Sequence, residues 1–217
     1  MPVPAEGARA VSLAREAIHY GLTSPTPIRD IAAPFRSVEL PPVFEEPRGV
    51  FVTLSEARSG GLRGCIGFPL PVYPMRRAIP RAAWAAAVDD PRFPPLELAE
   101  LDRIVIEVSI LTPPEELPVG PDLPERIVVG RDGLIVDREG FEGLLLPQVA
   151  TEEHWTAERF LAETCRKAGL PAAAWKLPGT GVRRFAAELF RETRPGGPVE
   201  PHAIAGAPAH RLPGPGP

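Results

Sequence analysis

Apolar residues recur at helical spacing along two early segments, and this spacing predicts two amphipathic helices. The first spans about residues 5–20 and the second about residues 74–88. Pro80 lies inside the second segment, so that helix is either kinked at this residue or begins there.

A third helix is predicted in the last third of the chain. Thr151 is expected to cap its N-terminus, and Gly169 is expected to end it. Cys165 falls on the apolar stripe of this helix, so packing in the core is its expected role.

Short apolar runs and alternating patterns predict strands in the remaining segments. The predicted strands cover residues 49–54, 62–68, 104–111, 140–146 and 182–190, with two more about a glycine turn within 127–136. Helices and strands follow one another without a regular βαβ rhythm. The predicted fold class is therefore α+β, with a mostly antiparallel sheet and flanking helices.

One carboxylate interrupts the most apolar of these strands. Alternation sends one set of side chains to the same face, namely Ile104, Ile106, Val108 and Ile110. Glu107 and Ser109 then lie on the opposite face. A carboxylate in so apolar a strand lies either on the open face of the sheet or in a cleft.

The length of the chain, 217 residues, suffices for one sizeable domain or for a domain of two lobes. Residues 1–194 carry the helix and strand patterns and form the predicted domain. Residues 195–217 are rich in Pro, Gly and Ala with little hydrophobic patterning, so they are predicted to form a tail.

Charge and hydropathy exclude several classes of protein. The formal net charge of −4 argues against a large nucleic-acid-binding face, and no motif for sequence-specific DNA binding occurs. No apolar run approaches the ~18 residues of a membrane span. The N-terminus also lacks the basic and apolar regions of a signal peptide. We therefore expect a soluble cytoplasmic protein that does not bind membranes.

The amino-acid composition indicates a thermophilic source. The chain has no Asn, a single Gln and 30 Pro, as is typical of proteins from hyperthermophiles. A thermophilic source is expected, which keeps an intracellular disulfide between the two cysteines open as a redox alternative. No Cys-x-x-Cys pair occurs and the four histidines lack ligand spacing, so neither a metal site nor a cofactor is expected.

The strand at residues 62–68 is the strongest functional candidate. Alternation places Arg63, Cys65 and Gly67 on one face. A guanidinium beside a thiol favours the reactive thiolate. Gly64 and Gly67 leave space there for a ligand or for another backbone. The alternative is that Cys65 is a small buried residue in a tightly packed strand.

A cysteine nucleophile here lacks an adjacent base. Arg63 cannot accept a proton, and no histidine lies near Cys65 in the sequence. Asp90, Glu107 or a water molecule would have to serve as the base, unless His154 approaches in space.

Two further polar positions have both a functional and a structural interpretation. In the turn Asp90-Pro91-Arg92-Phe93, Asp90 and Arg92 either line the site or pair with each other to fix the exit of the second helix. Gln148, the only side-chain amide of the chain, either contacts a ligand or caps the backbone.

Several motifs, taken in their fixed order, closely resemble the AMMECR domain family, which has archaeal, bacterial and eukaryotic members. The resemblance covers about residues 8–192 and is carried by residues 62–67, 90–93, 107–111, 143–149, 160–161 and 164–170. It implies an α+β fold of two lobes with a cleft between them, near the Arg-Gly-Cys motif. Some relatives are encoded or fused with a Memo-like protein and a radical-SAM protein, which are therefore candidate partners.

The resemblance also implies that the molecular function is unsettled. Its candidate residues at positions of this sequence are Arg63, Gly64, Cys65, Asp90, Arg92, Glu107 and Gln148. One hypothesis is an enzyme whose cleft contains Arg63 and Cys65 and which acts on a nucleotide, an RNA base or a small anionic metabolite. In this hypothesis Arg63 is the donor to an anion or oxyanion, and Glu107 or Asp90 is the acid/base. The alternative is a non-catalytic module that binds a ligand or a partner within a multi-protein system.

Overall fold

The computed structural model of the protein describes residues 4–202. The helices in this range are α1 (Pro4–Thr23), α2 (Met75–Val88), α3 (Pro147–Glu152) and α4 (Ala157–Lys167). The strands are β1 (Val50–Glu56), β2 (Leu62–Phe68), β3 (Ile104–Leu111), β4 (Glu115–Glu116), β5 (Asp132–Arg138), β6 (Phe141–Leu145), β7 (Gly181–Glu192) and β8 (Val199–His202). No helix in this part of the chain is both long and apolar enough to cross a membrane.

The described chain divides into two compact units. Unit 1 comprises residues 4–113 and 188–202, and unit 2 comprises residues 114–187. Both combine an antiparallel sheet with helices, and the predicted α+β fold class is therefore confirmed.

Unit 1 is a sheet with helices packed on one face. Strand β1 pairs with β2 on one side and with β3 on the other, and β8 pairs with the C-terminal end of β7. Helices α1 and α2 contact each other and cover the face that carries Val52, Ile106 and Val108. The alternation expected along residues 104–111 is thus correct, because the isoleucine face lies in the core.

The first two predicted helices are both present in unit 1. Helix α1 covers the expected segment. Helix α2 begins at Met75 and contains Pro80, so this proline lies within the helix and does not start it. A proline lacks the N–H that would bond to the fourth preceding carbonyl, and Pro80 is instead buried together with the apolar residues of α2.

Unit 2 places β5 between β6 and the N-terminal part of β7, with α4 packed on β5 and β6. Its core gathers large apolar side chains around Phe160, Trp175 and Leu134. Residues 127–131 form no strand, contrary to the prediction: residues 129–131 are a turn, in which the carbonyl of Val128 accepts hydrogen bonds from the amides of Arg131 and Asp132.

The third predicted helix is divided in two. Helix α3 ends at Glu152, and Thr156 caps α4, its side chain accepting a hydrogen bond from the amide of Arg159 at 3.2 Å. The prediction of Thr151 as the N-cap was therefore wrong. Cys165 is completely buried in the core of unit 2, as the apolar stripe indicated.

Strand β7 supplies side chains to both cores. Val182 packs in the core of unit 2, and Phe190 packs in the core of unit 1. Alternation along residues 182–190 predicts an inner face of Phe185, Ala187 and Leu189. Phe185 is buried, whereas Ala187 and Leu189 are only half-buried. The strand serves two separate cores, so no single alternating face runs through it.

Part of the predicted tail belongs to the sheet. Residues 199–202 form β8, and Leu189 of β7 lies opposite His202. Residues 195–198 precede this strand as a turn and a short loop, and residues 203–217 of the predicted tail lie outside the described residues.

Candidate functional site

Three strands of unit 1 align polar side chains in one row. In the register of the sheet, Thr53 of β1 lies opposite Cys65 of β2 and also opposite Glu107 of β3. The neighbouring residues along these strands, Val52 and Val108, point into the core, so the row lies on the face away from α1 and α2. The Thr53 hydroxyl Oγ1 donates a hydrogen bond to Cys65 Sγ at 3.4 Å.

Glu107 carries a histidine at its end of the row. Its carboxylate oxygen Oε2 lies 2.5 Å from Nδ1 of His202 and 3.7 Å from Nη1 of Arg191. The Glu107 side chain is nearly buried, whereas the His202 side chain is half exposed. A carboxylate that accepts from Nδ1 orients the imidazole and leaves Nε2 as the nitrogen that exchanges protons with a ligand.

Sequence reasoning missed both Thr53 and His202. Thr53 looked like any polar position of an alternating strand, and only the strand register places it between Cys65 and Glu107. His202 falls in the segment predicted to be a tail. The only local signal for β8 is four residues long, too short for a periodic pattern to be recognised.

Asp90 and Arg92 form the pair that the structural interpretation of their turn predicts. Asp90 is buried and accepts two hydrogen bonds from the guanidinium of Arg92, at 2.9 and 2.7 Å. The pair also holds β2: Asp90 accepts from the backbone N–H of Cys65 at 2.8 Å, and Arg92 Nη2 donates to the Cys65 carbonyl at 3.4 Å. These bonds satisfy the polar groups of a strand at the edge of the sheet.

The electrostatics of this pair bear on the predicted acid/base role of Asp90. Hydrogen bonds from Arg92 hold the pKa of Asp90 well below its usual range, against the opposing effect of burial. The same pairing raises the pKa of Arg92. A carboxylate with so low a pKa is a poor proton acceptor near neutral pH, which favours Glu107 over Asp90 as the acid/base candidate.

Arg63 is engaged by a carboxylate of its own. Its Nε donates to Glu100 Oε1 at 2.9 Å and its Nη2 to Glu100 Oε2 at 3.1 Å. The guanidinium is buried and also lies 6.0 Å from the centre of the Phe93 ring. The pKa of Glu100 is lowered, chiefly by hydrogen bonding from Arg63. The sequence did not single out Glu100, which lies 37 residues away from Arg63.

The two glycines of the motif allow close packing. A Cβ at Gly64 would lie 2.1 Å from the carbonyl oxygen of Ala86 in α2, so only glycine lets this helix approach β2. A Cβ at Gly67 would lie 2.3 Å from the carbonyl oxygen of Val50 and would also overlap the Phe51 ring. Both glycines therefore accommodate protein atoms, and their roles in ligand binding stay predictions.

The remaining candidate residues belong to unit 2. Gln148 lies in the first turn of α3, and His154 follows α3 with a left-handed φ of 55°. Both cysteines are free, and burial raises the pKa of the Cys165 thiol.

Among residues 4–202, no three His, Cys, Asp or Glu side chains gather closely enough to hold a metal ion.

Comparison with known proteins identifies relatives over nearly the whole described chain. A protein of Pyrococcus furiosus is 52% identical over 194 residues, which cover 88% of this chain and 90% of the relative. A protein of Methanothermobacter thermautotrophicus is 51% identical over 189 residues, covering 86% of this chain and 94% of the relative.

One solved structure extends this similarity to the fold. The crystal structure of an uncharacterized protein from Pyrococcus horikoshii superposes with a TM-score of 0.77 at 47% identity, covering 93% of this chain and 98% of that one. The model of the AMMECR1 family matches residues 11–190. The chain therefore belongs to the AMMECR1 family, as the order of its motifs had indicated.

Proposed function

We propose that the protein is an enzyme in which Cys65 is the nucleophile and the pair Glu107 and His202 is the acid/base. The observation that carries this proposal is the register of the sheet, which aligns Cys65, Thr53 and Glu107 in one row with His202 at its end. Cys65 and Thr53 are both partly accessible, and so is His202.

The row has the dimensions of a small-molecule site. Neighbouring strands lie about 4.8 Å apart, so two strand spacings separate the backbones of Cys65 and Glu107 by about 10 Å. A ligand lying over Thr53 would contact the sulfur at one end and the imidazole at the other. The hydroxyl that donates to Sγ stabilises negative charge on the sulfur.

The proposed chemistry divides between the two ends of the row. Cys65 reacts as the thiolate, after its proton has passed to the imidazole of His202 directly or through water. The thiolate attacks an electrophilic carbon of the substrate, and a carbon–sulfur bond forms as the bond to the leaving group breaks. The imidazole of His202, oriented by Glu107, donates a proton to the leaving group. Water then breaks the carbon–sulfur bond, with the same imidazole taking a proton from the water.

Alkylation kinetics test the nucleophile. The folded protein is treated with iodoacetamide between pH 5 and 9, and modification of the Cys65 peptide is followed by mass spectrometry. We expect rapid alkylation well below pH 8, and a rate about three- to tenfold lower at pH 7 in Thr53→Val, which loses the hydrogen bond to sulfur. Sluggish alkylation of Cys65 at every pH would contradict the proposal and leave the row as a non-catalytic binding surface.

A simple ester tests the acid/base pair. With p-nitrophenyl acetate, acylation of Cys65 releases a burst of nitrophenolate, and continued turnover needs hydrolysis of the thioester. Glu107→Gln should keep the burst and slow the turnover about 10²-fold or more. Glu200→Gln is the matched control, because it removes an exposed carboxylate from the same strand as His202. Equal turnover in both variants would exclude Glu107 from the mechanism.

A further inference from the structure

Two ion pairs, one at each end of the row, share an orientation that bears on the ligand. In the Asp90–Arg92 pair the carboxylate side chain is 2% exposed and the guanidinium side chain is 54% exposed. At the other end of the row, the Glu107 side chain is 10% exposed, against 29% for Arg191 and 50% for His202. At both ends the acid is buried and the cationic or proton-bearing partner faces outward.

Arg92 is the outward-facing cation beside the thiol. Its Nε and Nη2 bind Asp90, and Nη2 also donates to the carbonyl of Cys65. The remaining guanidinium nitrogen, Nη1, lies on a side chain that is more than half exposed. The guanidinium is also held over the ring of Phe93, 5.5 Å from its centre, which fixes its plane. An arginine fixed in this way presents a preorganised donor to an anion.

Arg63, the arginine expected from the sequence to bind an anion, has the opposite arrangement. Its side chain is 9% exposed, and the outward-facing partner is its carboxylate, Glu100, at 27%. Nε and Nη2 of Arg63 are bonded to that carboxylate just as those of Arg92 are bonded to Asp90, so the difference between the two arginines is their exposure. Arg63 therefore stabilises the fold around β2 and offers little positive charge to a ligand.

From these contacts we infer that the substrate of the row is an anion, bearing a carboxylate or phosphate group that Arg92 binds beside Cys65. This inference rests on the proposed function, because it concerns the same sulfur. It narrows the ligand from a nucleotide, an RNA base or a small anionic metabolite to a molecule whose negative group lies next to the reacting carbon. It also moves the role of anion binding from Arg63 to Arg92.

The experiment compares two alkylating reagents of nearly equal size. Iodoacetate carries a carboxylate and iodoacetamide is neutral, so the ratio of their rates at Cys65 measures the preference for an anion. Relative to glutathione under the same conditions, we expect this ratio to be at least about fivefold higher in the wild type. Arg92→Gln should lower this ratio several-fold, because the iodoacetate rate should fall by more than the iodoacetamide rate.

Two variants separate charge from folding. Arg92→Lys retains a positive charge beside Asp90 and should keep most of the preference, even if Arg92→Gln unfolds. Arg36→Gln is the matched control, since Arg36 is also an exposed arginine paired with an aspartate, Asp30. The control should not change the ratio.

Inorganic phosphate distinguishes the two kinds of anion. If phosphate slows iodoacetamide alkylation of Cys65 in the wild type, and sodium chloride at equal ionic strength does not, the bound group is a phosphate. If iodoacetate is preferred but phosphate does not slow the alkylation of Cys65, the bound group is a carboxylate. If iodoacetamide alkylates Cys65 rapidly, but iodoacetate is not preferred and phosphate does not slow the reaction, this inference is overturned and the proposed nucleophile stands. Slow alkylation by both reagents would instead overturn the proposed function.

Discussion

Substitution of Asp90 by asparagine tests how the edge of the sheet in unit 1 is held. The Asp90 carboxylate accepts four hydrogen bonds, from the amides of Cys65 and Arg92 and from two nitrogens of the Arg92 guanidinium. Asparagine has the same shape, but it is neutral and one of its oxygens is replaced by an NH₂ donor. At least one donor that now faces Asp90 would then face another donor.

The expected magnitude follows from the burial of each partner. Arg92 is more than half exposed, so water replaces most of what its guanidinium loses. The amide of Cys65 is bonded at the edge of the sheet, and leaving such a group unpaired costs about 1–3 kcal/mol. With a smaller contribution from the lost charge, we expect Asp90→Asn to lower the free energy of unfolding by about 2–3 kcal/mol at pH 7.

The pH dependence has a definite sign. The pKa of Asp90 is lowered in the folded state, whereas in the unfolded chain it is about 3.9. The contribution of Asp90 is therefore fully present above about pH 4 and is lost as the pH falls further. The difference between wild type and Asp90→Asn should shrink between about pH 4 and pH 2.

Guanidinium-induced unfolding at pH 7 and pH 3, followed by tryptophan fluorescence, measures this difference. Hydrogen exchange at the Cys65 amide gives a local measurement that does not assume a single unfolding step. Asp122→Asn is the control, because Asp122 is also paired with an arginine but is exposed, and it should change stability far less. Unchanged stability and unchanged exchange at Cys65 in Asp90→Asn would refute this account of the strand edge.

Two further predictions concern packing and thiol burial. Gly64→Ala should destabilise the protein by about 1–3 kcal/mol or more in the same unfolding assay, because the new Cβ would overlap the Ala86 carbonyl. Gly61→Ala should be much milder, because the nearest atom to its Cβ is the hydroxyl of an exposed serine at 3.1 Å. Cys165 should resist thiol reagents in the folded protein, because the thiol is fully buried and burial raises its pKa. A thiol titration should therefore find one rapidly reacting thiol in the native protein and two in denaturant. Two rapidly reacting thiols in the native protein would contradict the burial of Cys165.

The helices and strands could be predicted where all the apolar residues of an element pack into a single core. Strand β3 is an example, since its alternating isoleucines and valine fill the core of unit 1 and Glu107 lies on the other face, as expected. Strand β7 is the counterexample. Its two ends belong to different cores, so the single inner face expected for it does not exist.

The candidate site shows a similar division. Its sequence-predicted members Cys65, Asp90 and Arg92 are close together because a turn of three residues can fold back onto a neighbouring strand edge. The partners of Glu107 and Arg63 could not be predicted. Each ion pair joins residues far apart in the chain, and nothing in local periodicity specifies which carboxylate will meet which cation.

The sequence by itself determined the family, the α+β class and, within each strand, the residues that share a face with Cys65 or with Glu107, because side-chain alternation and motif order are local properties of the chain. Only the tertiary structure shows that Thr53 lies between Cys65 and Glu107 and that β8 places His202 beside Glu107. It also shows that Arg92, and not Arg63, is the exposed arginine beside the thiol. These features depend on strand register and on the relative burial of paired charges, and both arise only when segments distant in sequence pack together.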